Sequence, residues 1–209
     1  TECGNDSTRW AGQCSACKEW NTIKEVHLGK DKSPSRNSGY SGTRSSIQLL
    51  SEVTLEQTER LTTGITEFDR VLGGGIVNGS VVLIGGTPGA GKSTLLLQVI
   101  ANTAEKGATV LYVSGEESLQ QIAERAIRLN LALDKITMLT ETSVQRICDV
   151  LEEIKPTILV IDSIQVMYNE NSDTTPGSVS QVKESASFLT QYAKRNGVAV
   201  FMVGHVTKD

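Results

Sequence analysis

The stretch that determines the fold is Gly86-Thr87-Pro88-Gly89-Ala90-Gly91-Lys92-Ser93. It fits the pattern G-x-x-x-x-G-K-[ST] of a phosphate-binding loop. An apolar run of strand length, residues 81–84, precedes it, and an apolar helical pattern starts at Lys92. Because this strand–loop–helix context is the one in which the motif binds phosphate, we predict a nucleotide-binding site here.

The residue types of this loop suit a nucleotide bound as ATP or ADP. Glycines let backbone N–H groups turn inward, and the start of the following helix favours negative charge. We predict that Lys92 reaches the β and γ phosphates and that Ser93 binds Mg²⁺. The alternative is a glycine-rich turn without a ligand. The predicted nucleotide-binding residues are Gly86, Thr87, Pro88, Gly89, Ala90, Gly91, Lys92, Ser93 and Thr94.

Strand and helix patterns alternate around the loop. Continuous apolar runs of strand length, which suit parallel strands buried on both faces, cover residues 81–84, 110–113, 136–139, 158–161 and 198–203. Helical patterns cover residues 92–106, 119–131, 144–154 and 179–196. This alternation predicts an α/β fold in which helices cover a mostly parallel sheet.

Acidic residues follow two of the predicted strands. Asp162 ends the run 158–161, at the kind of strand end where ligands bind in open α/β sheets, and we expect it to hold Mg²⁺ through water. The alternative is an Asp that faces solvent. Glu116 and Glu117 follow the run 110–113. Hydrolysis needs a carboxylate to orient or deprotonate water, so Glu116 is the first candidate and Glu117 the second. The alternative is that the pair caps the next helix, and the two roles are compatible, with one acid in each.

A histidine and a group of cysteines complete the candidates. His205 follows the last apolar run and is either a sensor of the γ phosphate or a structural residue. Three cysteines cluster in the spacing Cys3-x10-Cys14-x2-Cys17. Structural zinc sites use four ligands in two close pairs, so we predict a four-Cys zinc ribbon whose first Cys would precede Thr1. His27 is a weaker substitute ligand, and three unrelated cysteines are the alternative. Cys148 lies in a helical pattern and is expected to pack in the core.

Composition separates the chain into parts. Residues 1–26 form the cysteine module, residues 27–46 are rich in Ser, Gly and basic side chains and read as a flexible linker, and residues 47–209 form the core. The formal net charge is −4, which is not the basic footprint of a protein that grips nucleic acid by charge alone. No apolar run approaches the roughly 20 residues of a membrane span, so we expect no membrane partner. Both ends look cut, as in a fragment.

Several stretches together resemble the bacterial RadA (Sms) family. Residues 3–4, 10–14, 17 and 20–22 resemble its zinc ribbon. Residues 61–65 and 69–75 resemble the entry to its RecA-like core, and residues 176–182 and 204–208 are also similar. The resemblance therefore covers nearly the whole chain apart from the linker. The family continues past Asp209 with a Lys-Asn-Arg-Phe-Gly motif and a Lon-protease-like domain.

The resemblance implies a DNA-dependent ATPase that drives branch migration in recombination and DNA repair. It implies single-stranded and branched DNA and the RecA recombinase as partners, a homo-hexameric ring and a location in the bacterial cytoplasm. Carried over by position, the catalytic set is Lys92, Glu116, Asp162 and His205. The zinc ligands are Cys3, Cys14 and Cys17. The strand before His205 is expected between the phosphate-loop strand and the Asp162 strand.

Two other functions stay open. The chain could be a RecA-fold regulatory ATPase of the KaiC type, or a zinc-ribbon adaptor whose core binds nucleotide only to fold. The cysteine module and residues 205–208 favour the DNA motor. The acidic core favours the regulatory ATPase, and so does segment 168–180, which lacks Lys and Arg. That segment is either a DNA-facing loop or an ordinary surface loop.

Overall fold

The computed structural model describes residues 12–20, 49, 51, 59–172, 174–175 and 177–206. The chain divides into two units, Thr1–Ser38 and Gly39–Asp209. In the first unit, the described residues form a short hairpin in which Gln13 and Trp20 pair as an antiparallel bridge. The linker 27–46 lies outside the described residues.

The second unit opens with a two-stranded antiparallel pair around one short helix. Strand β1 (Arg60–Leu61) pairs with β2 (Ile76–Val77), and helix α1 (Thr66–Val71) lies between them in the chain. The Arg60 guanidinium donates to the Leu72 carbonyl oxygen at 3.1 Å, which ties the strand to the end of the helix. These elements are too short to show periodicity, and the sequence patterns did not predict them.

A five-stranded sheet forms the centre of this unit. Its strands are β3 (Val81–Gly86), β4 (Val110–Ser114), β5 (Thr137–Thr140), β6 (Ile158–Asp162) and β7 (Ala199–His205). Their order is β3-β7-β6-β4-β5, and every neighbouring pair is parallel. The expected place of the last strand, between the phosphate-loop strand and the Asp162 strand, is confirmed.

Four longer helices follow the strands as predicted. They are α2 (Lys92–Glu105), α3 (Leu119–Arg128), α4 (Val144–Ile154) and α5 (Val179–Asn196). Helix α3 ends three residues before the predicted boundary because Asn130 adopts a left-handed conformation with φ 54°. The Leu131 N–H then donates to the Ala126 carbonyl oxygen at 3.0 Å, a Schellman-type ending that the apolar periodicity does not reveal.

Apolar side chains of the sheet alternate between two buried clusters. Tyr112 and Val160 face the cluster formed with α2 and α3. Leu111 and Leu159 face the cluster formed with α4 and α5. All residues of β4 and β6 are buried, which explains why their sequences are continuous rather than alternating apolar runs. The predicted fold class is confirmed, with helices on both faces of a parallel sheet.

None of the helices in the described ranges combines enough length with enough apolar character to cross a bilayer.

Cys148 gives a test of packing around α4. It lies half-buried against the α4/α5 cluster, as its helical pattern predicted. Burial raises the pKa of the Cys148 thiol to about 11, and the nearby carboxylates of Asp149 and Glu152 act in the same direction. At pH 8 such a thiol is about 0.1% thiolate, compared with about a quarter for an ordinary cysteine.

We therefore expect iodoacetamide to modify Cys148 at pH 8 at least about 100-fold more slowly in the folded protein than in denaturant. Peptide mass spectrometry over time measures both rates at this one site. Equal rates in the two states would show that α4 does not pack as described.

Candidate functional site

The loop before α2 has the backbone geometry of an anion-binding site. Gly89 and Gly91 have φ angles of 79° and 85°. A Cβ atom at either position would meet nothing within 4 Å, so the left-handed backbone, rather than crowding, is what favours glycine. Turns of this kind direct successive N–H groups into one concavity. Gly91 is also the N-cap of α2, which adds the positive end of the helix dipole.

The Lys92 ammonium group lies under this loop. Its Nζ donates to the carbonyl oxygens of Gly86 and Thr87, both at 2.9 Å. Lys92 is 8% exposed, and its Nζ also lies 3.4 Å from Nδ1 of His205. The cation is therefore held at the loop by neutral acceptors that a phosphate oxygen can replace.

One cavity collects most of the residues predicted for the site. Its volume is about 320 Å³, within the usual range of small-molecule sites. Residues 88–94, from the loop and the start of α2, line one side of the cavity. Gly86 and Thr87 are connected to it because their carbonyl oxygens accept hydrogen bonds from Lys92. The other lining residues are Ser114, Glu116, Glu117, Arg125, Asp162 and His205.

Asp162 is held by a tyrosine that the sequence argument did not identify as functional. The Tyr112 hydroxyl donates to Oδ2 of Asp162, which is itself 7% exposed. Burial raises the pKa of Tyr112 well above its usual range, and the negative charge of Asp162 adds to this. The Ser93 hydroxyl beside it acts in the opposite direction. Tyr112 and Asp162 thus form one hydrogen-bonded pair, and Asp162 lines the same cavity as Ser93, the other predicted Mg²⁺ ligand.

Glu116 and His205 form a second polar group on the other side of the cavity. Oε1 of Glu116 accepts a hydrogen bond from the fully buried Ser163 hydroxyl. Oε2 of Glu116 lies 3.5 Å from Nε2 of His205. A neutral His205 protonated on Nε2 satisfies both neighbours, because Nδ1 then accepts from Lys92 while Nε2–H faces the carboxylate.

Glu117 has a different environment from Glu116. Its carboxylate pairs with Arg125 of α3, and this hydrogen bond raises the pKa of the guanidinium. Helix α3 is capped by Ser118, which forms a reciprocal capping box with Gln121. Neither glutamate therefore supplies the cap, and the helix-capping alternative is wrong.

The cysteine hairpin has a geometry that suits a metal-binding knuckle. Cys14 and Cys17 lie in the turn between the bridged residues Gln13 and Trp20. Lys18 adopts φ 59°, and its N–H donates to the Cys14 carbonyl oxygen at 2.9 Å. The tight turn keeps both thiols in one short loop, as a C-x2-C half-site requires.

The other predicted zinc ligands, Cys3 and His27, lie outside the described residues. Residues 207–208 lie outside them as well. Within the described ranges, no three His, Cys, Asp or Glu side chains gather into a metal-binding group. The hairpin therefore fits half of a zinc site.

Both parts of the chain are similar to known proteins. Residues 61–140 match the family model described as ATPase: KaiC, and residues 1–25 match a rubredoxin metal-binding domain. The relatives include proteins named DNA repair protein RadA from Haemophilus influenzae, 59% identical over 212 residues, Escherichia coli strain K12, 56% over 213, and Bacillus subtilis strain 168, 44% over 210. These alignments cover 100%, 100% and 99% of this chain and 46% of each relative.

The resemblance to the RadA family is confirmed over the whole chain. The chain spans about half the length of the curated RadA relatives that it matches. The family models agree with a RecA-like ATPase core and with an N-terminal zinc-ribbon-type module. An ATPase domain is thus shown, while residues Asp162 and His205 lie beyond the matched range 61–140.

The sequence patterns did not identify three side chains of the site. Tyr112 sits inside an apolar strand, Ser163 directly follows the strand acid, and Arg125 is eight residues beyond Glu117. Tyr112 and Ser163 reach their partners from a neighbouring strand, and Arg125 reaches its partner from a helix. Of the three, only Arg125 left a signal in the sequence, as a basic residue on the otherwise buried side of α3.

Gly115 offers a test of how the acidic loop is positioned. A Cβ atom here would lie 2.4 Å from Cγ2 of Val166, in the 3₁₀ turn after β6, and 3.0 Å from a Thr142 methyl group. Gly115→Ala should push the Glu116 loop away from this turn and lower ATP turnover at least tenfold, with a stability loss of about 1–3 kcal/mol.

Phosphate release and thermal unfolding measure the two effects. Adding Val166→Ala removes the colliding methyl group and should restore turnover, with the Val166→Ala protein as its reference. Full activity of Gly115→Ala alone would show that the loop accommodates a methyl group without moving Glu116.

Proposed function

We propose that this chain is the ATP-hydrolysing core of a DNA-dependent ATPase that acts as a branch-migration motor in recombination and DNA repair. The observation that carries the proposal is the single cavity shared by Lys92, Glu116, Asp162 and His205. The name that the relatives share, DNA repair protein RadA, supports the link to DNA. We place the protein in the bacterial cytoplasm.

Nucleotide binding in this proposal uses the loop and the strand ends. Backbone N–H groups of residues 89–94 and the Lys92 ammonium hold the phosphates of ATP or ADP. Ser93 and Asp162 hold Mg²⁺, which neutralises charge on the phosphates. The donor set suits this ion, because Mg²⁺ prefers oxygen ligands and retains several of its waters.

Glu116 is proposed as the group that orients and deprotonates the attacking water. The Ser163 hydroxyl occupies Oε1 of Glu116, so Oε2 remains on the cavity side, near His205. Glu116 is 40% exposed at its side chain, which gives water access. Glu117 suits this role less well, because its carboxylate is engaged by Arg125.

His205 is proposed as the sensor of the γ phosphate. Its ring lies between Lys92 and Glu116, and it ends β7. When a phosphate attracts the Lys92 ammonium, Nδ1 of His205 loses that neighbour, and the ring is free to follow the phosphate. The end of β7 thereby reports whether the terminal phosphate is present.

The partners proposed for the full-length protein are single-stranded and branched DNA, a homo-hexameric ring and the RecA recombinase. Segment 168–180, whose last two residues begin α5, is the proposed DNA-facing loop. The buried Gln181 side chain hydrogen-bonds to the backbone of this segment. Its Oε1 accepts from the Asn169 N–H at 2.9 Å, and its Nε2 donates to the Thr174 carbonyl oxygen at 3.0 Å. Asp173 and Pro176 lie outside the described residues. Zn²⁺ is proposed for Cys3, Cys14 and Cys17.

A regulatory ATPase of the KaiC type is the second candidate. The match of residues 61–140 to the KaiC ATPase model favours it, and the nucleotide site would be the same. The two functions differ in whether DNA changes the rate of hydrolysis.

The assignment of the catalytic acid is tested by neutralising each glutamate in turn. Glu116→Gln should retain nucleotide binding and lose turnover by about 100-fold or more, as expected for removal of a general base. Glu117→Gln, the matched control, loses its ion pair with Arg125 and should retain most turnover. Fluorescent-nucleotide binding and phosphate release measure both properties. Normal turnover of Glu116→Gln would move the role to another residue.

The motor function is tested on the full-length protein. ATP hydrolysis should rise when single-stranded or branched DNA is added, and Lys92→Ala should lose nucleotide affinity together with hydrolysis. Lys106→Ala is the matched control, because Lys106 lies just beyond the other end of α2 and donates to Thr62 instead. Absence of both DNA stimulation and DNA affinity at low salt would contradict the motor and favour the regulatory ATPase.

A further inference from the structure

Tyr112 connects the buried core to the predicted metal ligands. Its side chain is 1% exposed and packs in the cluster between the sheet and α2. Only its hydroxyl reaches the polar cavity edge, where it donates to Oδ2 of Asp162. A phenylalanine would fill the same apolar space, so packing alone does not explain the hydroxyl.

The strand register brings these two side chains together. Tyr112 pairs with Val160, and Ser114 pairs with Asp162, across the β4–β6 ladder. Asp162 is therefore the diagonal neighbour of Tyr112, two residues further along the adjacent strand and on the same face of the sheet. Diagonal neighbours are within reach of a long aromatic side chain. Packing of the ring fixes the position of the hydroxyl and, through it, the carboxylate.

The hydrogen bond gives the two oxygens of Asp162 different roles. Oδ2 accepts from Tyr112, so Oδ1 is the oxygen that would accept from a water bound to Mg²⁺.

We propose that Tyr112 is a positioning residue for Mg²⁺, which orients Asp162 through its buried hydroxyl. This inference rests on the proposed nucleotide function. Removing the hydroxyl leaves Oδ2 of Asp162 without its donor in a buried place, and the carboxylate then turns to find another partner. Nucleotide binding by the loop and Lys92 does not involve Tyr112, so the loss is confined to the metal-dependent part.

Tyr112→Phe in the full-length protein tests the proposal. Binding of fluorescent ADP is measured in EDTA and then across a Mg²⁺ titration. We expect unchanged affinity in EDTA and a midpoint for the Mg²⁺ effect that rises about tenfold, as for loss of a hydrogen bond to a charged group. Excess Mg²⁺ should restore much of the ATP turnover.

Tyr192→Phe is the matched control. It removes a phenolic hydroxyl from α5, against the opposite face of the sheet, and should leave the Mg²⁺ midpoint unchanged. A double-mutant cycle with Asp162→Asn separates a role through Asp162 from a general loss of structure. In the Asp162→Asn protein, Tyr112→Phe should shift the Mg²⁺ midpoint little further.

Two results would overturn the proposal. One is a Mg²⁺ midpoint for Tyr112→Phe equal to that of the unmodified protein. The other is an equal loss of ADP affinity with and without Mg²⁺, which would mean that the hydroxyl only supports the fold. If the unmodified protein binds no nucleotide even with Mg²⁺, the proposed function itself fails, and this is recognised before any variant is compared.

Discussion

The site depends on the parallel alignment of four strands whose carboxyl ends meet at one edge of the sheet. Gly86 pairs with His205, and Ser114 pairs with Asp162. A slip of one residue would turn each of these side chains to the opposite face. The register is held by apolar side chains buried on both faces, each of which contributes about 1.5–3 kcal/mol relative to exposure. The same strand register therefore determines both the stability of the core and the geometry of the site.

Within that edge, each glutamate has its own partner. The Glu117 carboxylate pairs with the Arg125 guanidinium, and Oε2 of Glu116 lies 3.5 Å from Nε2 of His205. Lys92 is instead satisfied by the neutral carbonyl oxygens of Gly86 and Thr87, so the ammonium group nearest the loop has no carboxylate partner in the described part of the chain. A bound phosphate can attract this ammonium without breaking an ion pair, which keeps the energetic cost of anion binding low.

Sequence patterns predicted most of the framework and the first set of site residues. The bounds of α4 and α5 agree with the structure, since their apolar periodicity and serine caps coincide. Sequence motifs identified Lys92, Asp162 and Glu116, which share one cavity. This was possible because each motif lies within one strand and the loop that follows it. The Tyr112 hydroxyl could not be predicted, because a tyrosine in an apolar strand is normal in a core and its partner lies on another strand.

The two adjacent glutamates show why a motif alone leaves roles undecided. Both follow β4, but they meet different neighbours, namely Ser163 and His205 for Glu116 and a helix side chain for Glu117. A linear pattern cannot distinguish them, because the difference arises from which elements pack beside the loop. Glu116 is linked to three strand ends through Ser163, His205 and Lys92. A shift at any one of these strand ends therefore moves the proposed catalytic carboxylate, which is the physical requirement for coupling hydrolysis to a change of shape.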